Sequence, residues 1–256
     1  MEVHHHSHLA SGETHTSRKK WTHYFWEFLM LFLAVFCGFL AEYQLEHKIE
    51  KERGKQYIES FYEDLKKDTT RLTYLINFET NKIASLIKLH DCYDSILKGQ
   101  QPASLIEIIK NSLSNNPFLM DGRTLRQLTN AGGFRLLQKE DADSIITYEK
   151  NGNNFEDYQS TLYQQAQDNL RNTFNEVIDF VPYTKLYTDV ANNPLPDAID
   201  TATPFLFTSD KQLLNKYFNQ LFQYLRATVQ HRNRLRLFKE HAERLLRYFE
   251  SKYHFN

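Results

Sequence analysis

The chain has 256 residues, a formal net charge of −1 at pH 7 and a mean hydropathy of −0.60. A net charge so close to zero provides no general attraction for nucleic acid, so the sequence predicts no nucleic-acid partner. The 8 glycines and 6 prolines fall below the usual shares of about 7% and 5%, which argues against a turn-rich β protein. The composition predicts an all-α fold, and its two cysteines, Cys37 and Cys92, lie too far apart along the predicted helix to form a disulfide.

The first 20 residues form a histidine-rich tail, with imidazoles at His4, His5, His6 and His8. Neutral imidazoles bind zinc, nickel or copper, so a physiological metal site is one interpretation of this run. The alternative is a flexible tail with only adventitious metal affinity, because such a segment lacks the supporting contacts that orient metal ligands.

An apolar segment from Phe28 to Ala41 carries no polar side chain. It is shorter than the roughly 20 residues that cross a hydrocarbon core, but aromatic residues extend it on both sides. Trp21 and Trp26 precede the segment, and Tyr43 follows it. These features predict a transmembrane helix at residues 21–45, with membrane lipid as its surroundings.

The basic residues Arg18, Lys19 and Lys20 stand directly before this segment. Basic flanks remain in the cytoplasm, so we expect a cytoplasmic tail at 1–20 and an extracytoplasmic domain at 46–256. Bulky Phe39 stands where a signal-peptidase site needs a small residue, which predicts an uncleaved anchor.

Two features inside the segment bear on association with other chains. Glu27 is a carboxylate near one membrane interface, where either pairing with His23 one turn earlier or contact with a partner subunit would offset its cost. Ala34, Gly38 and Ala41 place small residues on one helix face, which favours close approach of another helix. Chance also produces such patterns, so self-association through this face and an incidental pattern both remain open.

Apolar residues continue at helical spacing through residues 46–98, with polar Asp68, Glu79 and His90 in three of the apolar positions. The pattern predicts one long helix continuous with the span, with Gly54 as a candidate kink and an end at 99–102. Short helices are predicted at 103–113 and 123–130, the second ended by Gly132 and Gly133.

A second long helix is predicted from 139 to 178, with a break or kink at 151–154. A proline-rich connection follows at 181–209, and the last helix spans 210–253. The expected architecture is therefore an elongated helical bundle with long, coiled-coil-like helices.

No catalytic or cofactor-binding motif such as HExxH, a P-loop, GxSxG or CxxC occurs in the sequence. The acidic residues Glu63 and Asp64, and likewise Glu140, Asp141 and Asp143, are typical of helix starts and exposed surfaces. The sequence predicts no catalytic residue, no cofactor and no enzyme.

Basic residues cluster on the last helix, at Arg226, Arg232, Arg234, Arg236, Lys239, Arg244 and Arg247. A solvated helix face explains such a run. The functional interpretation is a binding surface for anionic lipid headgroups, a cell-wall polymer or an acidic partner.

The segments MEVHHHSH, EFLMLFLAVFCGFLAE, ESFYEDLKKD and RTLRQLTNAGGFRLLQKEDADSIITYE resemble an uncharacterised family of single-span helical membrane proteins of Gram-negative bacteria. The resemblance covers residues 1–70 and 123–150. It implies an inner-membrane anchor with a periplasmic helical domain, and a native histidine-rich start. It brings no activity, substrate or catalytic residue.

These observations predict a membrane-anchored structural or accessory interaction protein of the cell envelope, either a subunit of a larger membrane complex or a homo-oligomer. The alternative is a periplasmic sensor or ligand-binding bundle. A receptor of that kind needs an output domain, and only about 20 residues precede the predicted span. An enzyme of unrecognised type is a third interpretation.

Overall fold

The computed structural model describes residues 17–102, 104–179 and 207–255. Apart from one isolated antiparallel bridge between Ile178 and Phe207, the regular structure in these ranges is helical, which confirms the all-α prediction. The elements are α1 (Ser17–Asp91), α2 (Tyr93–Leu97), α3 (Leu105–Leu113), α4 (Arg123–Asn130), a 3-10 turn (Gly133–Leu136), α5 (Lys139–Tyr158), a π turn (Gln159–Tyr163), α6 (Gln164–Val177) and α7 (Lys211–Tyr253).

The chain divides into two units, residues 1–53 and 54–256. The described part of the first unit is the beginning of α1, where the side chains from Trp21 to Arg53 are exposed except for the half-buried Leu29 and Glu50. Near the N-terminus this helix is long and apolar enough to cross a membrane, with a mean hydropathy of 2.0 over an 18-residue window of which none is buried.

Three long helical columns form the second unit: α1 from Gly54 onward, α5 continued through the π turn into α6, and α7. They enclose two apolar cores. Core 1 comprises Ile58, Phe61, Leu65, Leu72 and Leu75 of α1, Leu125 and Leu128 of α4, Ile145, Tyr148 and Phe155 of α5, and Leu235, Phe238, Leu245 and Phe249 of α7. Core 2 comprises Leu86 and Leu89 of α1, Leu170, Phe174 and Val177 of α6, and Leu214, Tyr217, Leu221 and Tyr224 of α7.

The order of these residues gives the direction of each column. Both α1 and α5–α6 pass from core 1 to core 2 along the chain, so they run parallel to each other. Because α7 passes from core 2 to core 1, it runs antiparallel to both. Two parallel columns require a return connection, and residues 92–138, with α2, α3 and α4, provide it.

One boundary prediction for the first long helix needs correction. The helix ends at Asp91 rather than 98, and a turn at Cys92 separates it from α2. As predicted, α1 continues without a break through Gly54. A Cβ added at Gly54 would overlap the backbone carbonyl of Leu136 in the 3-10 turn, so a close approach of two backbones explains this glycine.

The predicted break at 151–154 is also wrong, since α5 is helical from Lys139 to Tyr158 and the irregularity is the π turn that follows. Gly132 does follow the end of α4 with a φ of 63°, the left-handed conformation expected there. Most of the predicted connection at 181–209 lies outside the described residues. Both cysteines are free thiols.

From the close approach of Leu136 to Gly54, we predict that replacing Gly54 destabilises the fold. In a helix, alanine is more favourable than glycine by about 1 kcal/mol. Gly54→Ala should nevertheless lower the free energy of unfolding by about 1–3 kcal/mol, because the added methyl group forces Leu136 to move. Urea unfolding of the full chain in mild detergent, followed by circular dichroism, measures this difference.

Gly38→Ala is the matched control, since a Cβ at that helical glycine meets no atom within 4 Å. We expect it to leave the unfolding of the bundle unchanged. A Gly54→Ala chain as stable as the original, or more stable, would show that the approach of Leu136 does not constrain α1.

Candidate functional site

The structure places the sequence-predicted membrane residues on the exposed part of α1. His23 Nδ1 lies 3.2 Å from Glu27 Oε1, which is the pairing that one of the two interpretations of Glu27 requires. Ala34, Gly38 and Ala41 are exposed. The candidate metal ligands His4, His5, His6 and His8 lie outside the described residues.

The basic residues of α7 do not form a single stripe. Arg226, Arg234, Arg236, Arg244 and Arg247 are exposed, whereas Arg232 and Lys239 are half-buried. At 100° per residue they are distributed over most of the solvent side of the helix. Lys239 pairs with Glu243 at 3.3 Å, and Arg234 and Arg244 line a groove between α5 and α7.

A charged pair is buried inside the bundle. Glu79 and Lys82 of α1 have side chains that are 0% and 1% exposed, and Lys82 Nζ donates a hydrogen bond to Glu79 Oε1 at 3.0 Å. Lys82 Nζ also donates to the hydroxyl oxygen of Tyr163 at 3.0 Å. The Tyr163 hydroxyl donates to Glu79 Oε2 at 3.2 Å and lies 3.2 Å from the hydroxyl of Tyr224 on α7.

His231 of α7 completes this buried polar cluster. Its ring stacks on Tyr163 with a centroid distance of 4.1 Å and an interplanar angle of 10°. His231 Nδ1 lies 3.5 Å from Glu79 Oε1, within charge-pairing distance but without the alignment of a hydrogen bond. His231 Nε2 lies 3.3 Å from Gln159 Oε1.

Gln159, in the π turn, requires a hydrogen on Nε2 of His231. The backbone N–H of Phe118 donates to Gln159 Oε1 at 3.0 Å, and Gln159 Nε2 donates to the carbonyl of Phe118 at 3.2 Å. These two backbone contacts fix the orientation of the amide, so Oε1 is the atom that faces His231. Since Oε1 can only accept, His231 Nε2 must be the donor.

Burial and neighbouring charges act in opposite directions on the pKa values of Glu79 and Lys82. Burial works to raise the pKa of Glu79, but the contacts with His231 and Lys82 outweigh it, and the pKa is lowered. Burial also lowers the pKa of Lys82, against the opposing attraction of Glu79. The lowered pKa of Glu79 favours its ionised form, which pairs with the ammonium group of Lys82.

The cluster lies where core 1 meets core 2 on all three columns. On α1, Glu79 and Lys82 stand between Leu75 of core 1 and Leu86 of core 2. His231 occupies the corresponding level of α7, between Tyr224 and Leu235, and the π turn occupies it on the middle column. The contacts of this buried polar cluster thus connect one level of each column.

The π turn is what brings the middle column into this contact. Phe155, Gln159, Tyr163 and Gln167 follow one another at intervals of four and face the interior or are half-buried. In a regular α-helix, four residues rotate by about 400°, which is about 40° more than one full turn. After three such intervals, Gln167 would point about 120° away from the direction of Phe155. The wider π turn absorbs this drift.

Two of the acidic residues predicted to be ordinary helix-start and surface charges, Asp64 and Asp141, are buried, whereas Glu63, Glu140 and Asp143 are exposed. Asp64 is 1% exposed and accepts hydrogen bonds from the backbone N–H of Thr124 at 3.2 Å and from its hydroxyl at 2.5 Å. It therefore caps the start of α4 from another helix. Asp68 accepts from the backbone N–H of Asp121 at 3.0 Å and from the hydroxyl of Tyr148 at 2.7 Å.

Asp141 is 0% exposed and connects the start of α5 to the end of α7. It accepts hydrogen bonds from the hydroxyls of Tyr248 at 2.8 Å and Tyr253 at 2.5 Å, and from Lys252 Nζ at 2.7 Å. The sequence analysis missed this cluster, because no local pattern distinguishes Asp141 from its neighbours. The polar interruptions at Asp68 and Glu79 are the available signal for two of the other three buried carboxylates, and Asp64 has no such signal.

Glu79 and Lys82 are sealed from solvent, so no solute can contact their charged atoms in this conformation. What the arrangement can do is hold three helices in a fixed register. Comparison of the chain with protein-family models, curated proteins and solved structures finds no match. The assignment of function therefore rests on the geometry above.

Because Glu79 and Lys82 are buried together, we predict that replacing either residue alone destabilises the fold. Lys82→Met leaves an ionised Glu79 without its ammonium partner and should lower the free energy of unfolding by about 3–5 kcal/mol. Glu79→Gln should cost a similar amount. The double variant should cost less than the sum of the two, because neither charge then remains unpaired. Urea unfolding of the four chains gives the coupling energy.

Glu63 and Lys66 provide a matched control on the same helix. They have the same spacing and the same 3.0 Å contact, but their side chains are 53% and 45% exposed. The same substitutions there should show a coupling energy below about 1 kcal/mol. Equal coupling energies for the two pairs would contradict the role given to burial.

From the raised pKa of Asp68, we predict how the stability of the fold changes with pH. Burial raises the pKa of Asp68 to about 6, although the hydrogen bond from Tyr148 works to lower it. A carboxyl with a raised pKa binds its proton more tightly in the folded chain, so its stabilisation is present below about pH 4 and is lost as the pH rises through about 6. Between pH 4 and pH 7, the stability of Asp68→Asn relative to the original chain should therefore improve by about 1–2 kcal/mol.

The substitution Tyr148→Phe tests the same carboxyl group by removing one of its hydrogen-bond donors. It removes a hydrogen bond that favours the ionised carboxylate, so the loss of stability should move to higher pH. Unfolding measured at intervals from pH 4 to pH 8 distinguishes the three chains. Parallel pH profiles for the original chain and Asp68→Asn would contradict the raised pKa.

Proposed function

We propose that this chain is a membrane-anchored structural or accessory protein of the bacterial cell envelope. In this proposal, residues 21–45 hold it in the inner membrane, and the helical domain presents an interaction surface in the periplasm. The protein is a subunit of a larger membrane complex or a homo-oligomer.

The observation that carries the proposal is the exposure of the apolar part of α1. Phe28, Met30, Val35 and Phe39 are 64–69% exposed, in a stretch where no side chain is buried. Soluble monomers rarely expose a continuous apolar surface of more than a few hundred Å². A bilayer would solvate these side chains, and the helix would satisfy its own backbone hydrogen bonds there.

The basic residues before the apolar stretch support the proposed orientation. Arg18, Lys19 and Lys20 precede it directly, and such residues favour the cytoplasmic side of a membrane. The resemblance of residues 1–70 and 123–150 to single-span proteins of Gram-negative bacteria agrees with a periplasmic domain.

The interior of the domain supports a structural role over a catalytic one. Its buried charged side chains, Glu79, Lys82 and Asp141, have hydrogen-bond partners on other helical elements. A domain with such internal contacts is suited to hold a surface in a fixed shape. We therefore propose no catalytic residue and no cofactor for this chain.

A periplasmic sensor is the second candidate, and one observation favours it. The groove between α5 and α7 has a volume of about 440 Å³, which is within the range of small-molecule sites. A bound small molecule in the purified protein would support the sensor, whereas a protein partner in fixed ratio would support the accessory subunit.

Native purification in mild detergent tests the proposal. The chain should remain in the membrane fraction after an alkaline carbonate wash and should then purify with itself or another protein in a constant ratio. If the face of Ala34 and Gly38 forms the contact, Gly38→Ile should reduce this association several-fold, because it inserts methyl groups between two helix backbones. Crosslinking through the exposed thiol of Cys37 gives a second measurement.

Gly38 is suited to this test because a Cβ there meets no atom within 4 Å, so the substitution leaves the chain's own packing unchanged. Leu33→Ile, on a different face of the helix, is the control. Release of the chain by carbonate would refute the anchor. A purified monomer with no partner would refute the accessory role, and equal behaviour of the two variants would assign any association to the domain instead.

A further inference from the structure

The groove between α5 and α7 combines an apolar floor with a polar rim. Phe155 and Phe238 are buried and form the floor, while Leu237 is 63% exposed at the edge. Asn151 and Asn154 of α5 line the opposite side and are exposed. The groove therefore offers an apolar surface between hydrogen-bonding side chains.

His241 contributes a hydrogen-bond donor to this groove. Asn151 Nδ2 lies 3.2 Å from His241 Nδ1, and an amide nitrogen can only donate, so Nδ1 is the acceptor. In the neutral ring the hydrogen is then on Nε2. Burial and the nearby charge of Arg244 both lower the pKa of His241, which favours the neutral ring.

Two arginines line the groove with His241 between them in sequence. The guanidinium of Arg234 lies 4.1 Å from the ring centroid of Tyr158, and no ion pair joins Arg234 or Arg244 to an acidic residue in the described part of the chain. Glu240 is the acidic residue of the lining, so the groove has a positive balance. A positive balance with several donors is complementary to an anion.

The spacing of the two arginines indicates the shape of that anion. Arg234 and Arg244 are ten residues apart on α7, which corresponds to about 15 Å along the helix. Leu237 and the two buried phenylalanines, Phe155 and Phe238, lie between these positions or beside them. In an extended peptide, residues four apart are separated by about 13 Å. Two carboxylates at that spacing match the arginines, and an apolar side chain between them matches the floor.

We propose that the groove binds an extended acidic segment of a protein partner, in which two carboxylates four residues apart flank an apolar side chain. Arg234 and Arg244 each hold one carboxylate, and the central side chain packs on Phe155, Leu237 and Phe238. This assignment rests on the proposed accessory function and names the chemistry of the partner.

The test uses the full chain in mild detergent and a peptide of sequence Glu-Ser-Leu-Ser-Glu, amidated and labelled with fluorescein at its N-terminus. Fluorescence anisotropy measures binding. Replacing both glutamates by glutamine should weaken binding about tenfold or more, because it removes the charge-assisted hydrogen bonds. A peptide Ser-Glu-Leu-Glu-Ser, with its carboxylates closer together, should also bind more weakly.

Substitutions in the protein locate the site. Arg234→Gln and Arg244→Gln should each weaken binding about tenfold. Arg226→Gln is the matched control, because Arg226 is an exposed arginine of the same helix that does not line the groove. It should bind the peptide as the original chain does. Leu237→Ser should weaken binding without changing its salt dependence.

The proposal is overturned if no anisotropy change appears up to 1 mM peptide, or if the glutamine peptide binds equally well. It is also overturned if all three arginine variants bind alike, or if 10 mM inorganic phosphate displaces the peptide completely, since the groove would then be an unspecific anion site. These outcomes refute the groove assignment alone. Co-purification of a partner tests the accessory function separately.

Discussion

A lysine and a glutamate removed from water cost several kcal/mol each unless their contacts are well made. In this chain Glu79 and Lys82 find those contacts only where α1, the π turn and α7 meet at one level, through Tyr163 and His231. Sliding one helix by a single turn would displace its side chains by about 5.4 Å, which no contact of 3.0–3.5 Å survives. Apolar cores tolerate repacking far better. The buried charges therefore restrict the register of the bundle.

The helical period of α1 could be predicted because burial on one face leaves a repeating pattern. Ile58, Phe61, Leu65, Leu72 and Leu75 are all buried as the spacing predicts. The pattern fails after the turn at Cys92, where Ile96 is buried and Leu97 is exposed. That turn shifts the phase of the helix, and because no residue at 91–93 is a helix breaker, no local pattern indicates the turn.

Interruptions in the pattern proved more informative than its regular part. Asp68 and Glu79 occupy apolar positions, and both are buried. Apart from Lys82, three residues from Glu79, the hydrogen-bond partners cited for them lie 53 or more residues away along the chain. Because those distant partners come from other parts of the chain, the pattern indicates that a polar group is enclosed but not which groups satisfy it. His90, the third interruption, is exposed, so the same pattern also arises where the apolar face simply ends.

Glycines and asparagines inside the long helices do not interrupt them, and the reason again lies in contacts with distant residues. The low helix propensity of Gly54 predicts a kink there, and that of the segment 151–154 predicts a break or kink. In the structure the helix continues through both, because packing compensates: Leu136 occupies the space beside Gly54, and Met120 occupies the space beside Gly152. The true irregularity, the π turn, arises from the need to direct Gln159 and Tyr163 toward the interior, which depends on α1 and α7.

The two histidines on α7 have different surroundings, because His231 lies in the interior of the bundle and His241 lies beside the groove. His231 is 1% exposed and stacks on Tyr163, whereas His241, ten residues later, is half-buried beside the groove. Nothing in the sequence around them predicts this difference, since charged residues stand close to both. The charges that hold the bundle together are already occupied in its interior, while Arg234 and Arg244 make no ion pair within the described residues. Their substitution should therefore change what the surface binds and leave the fold that presents it intact.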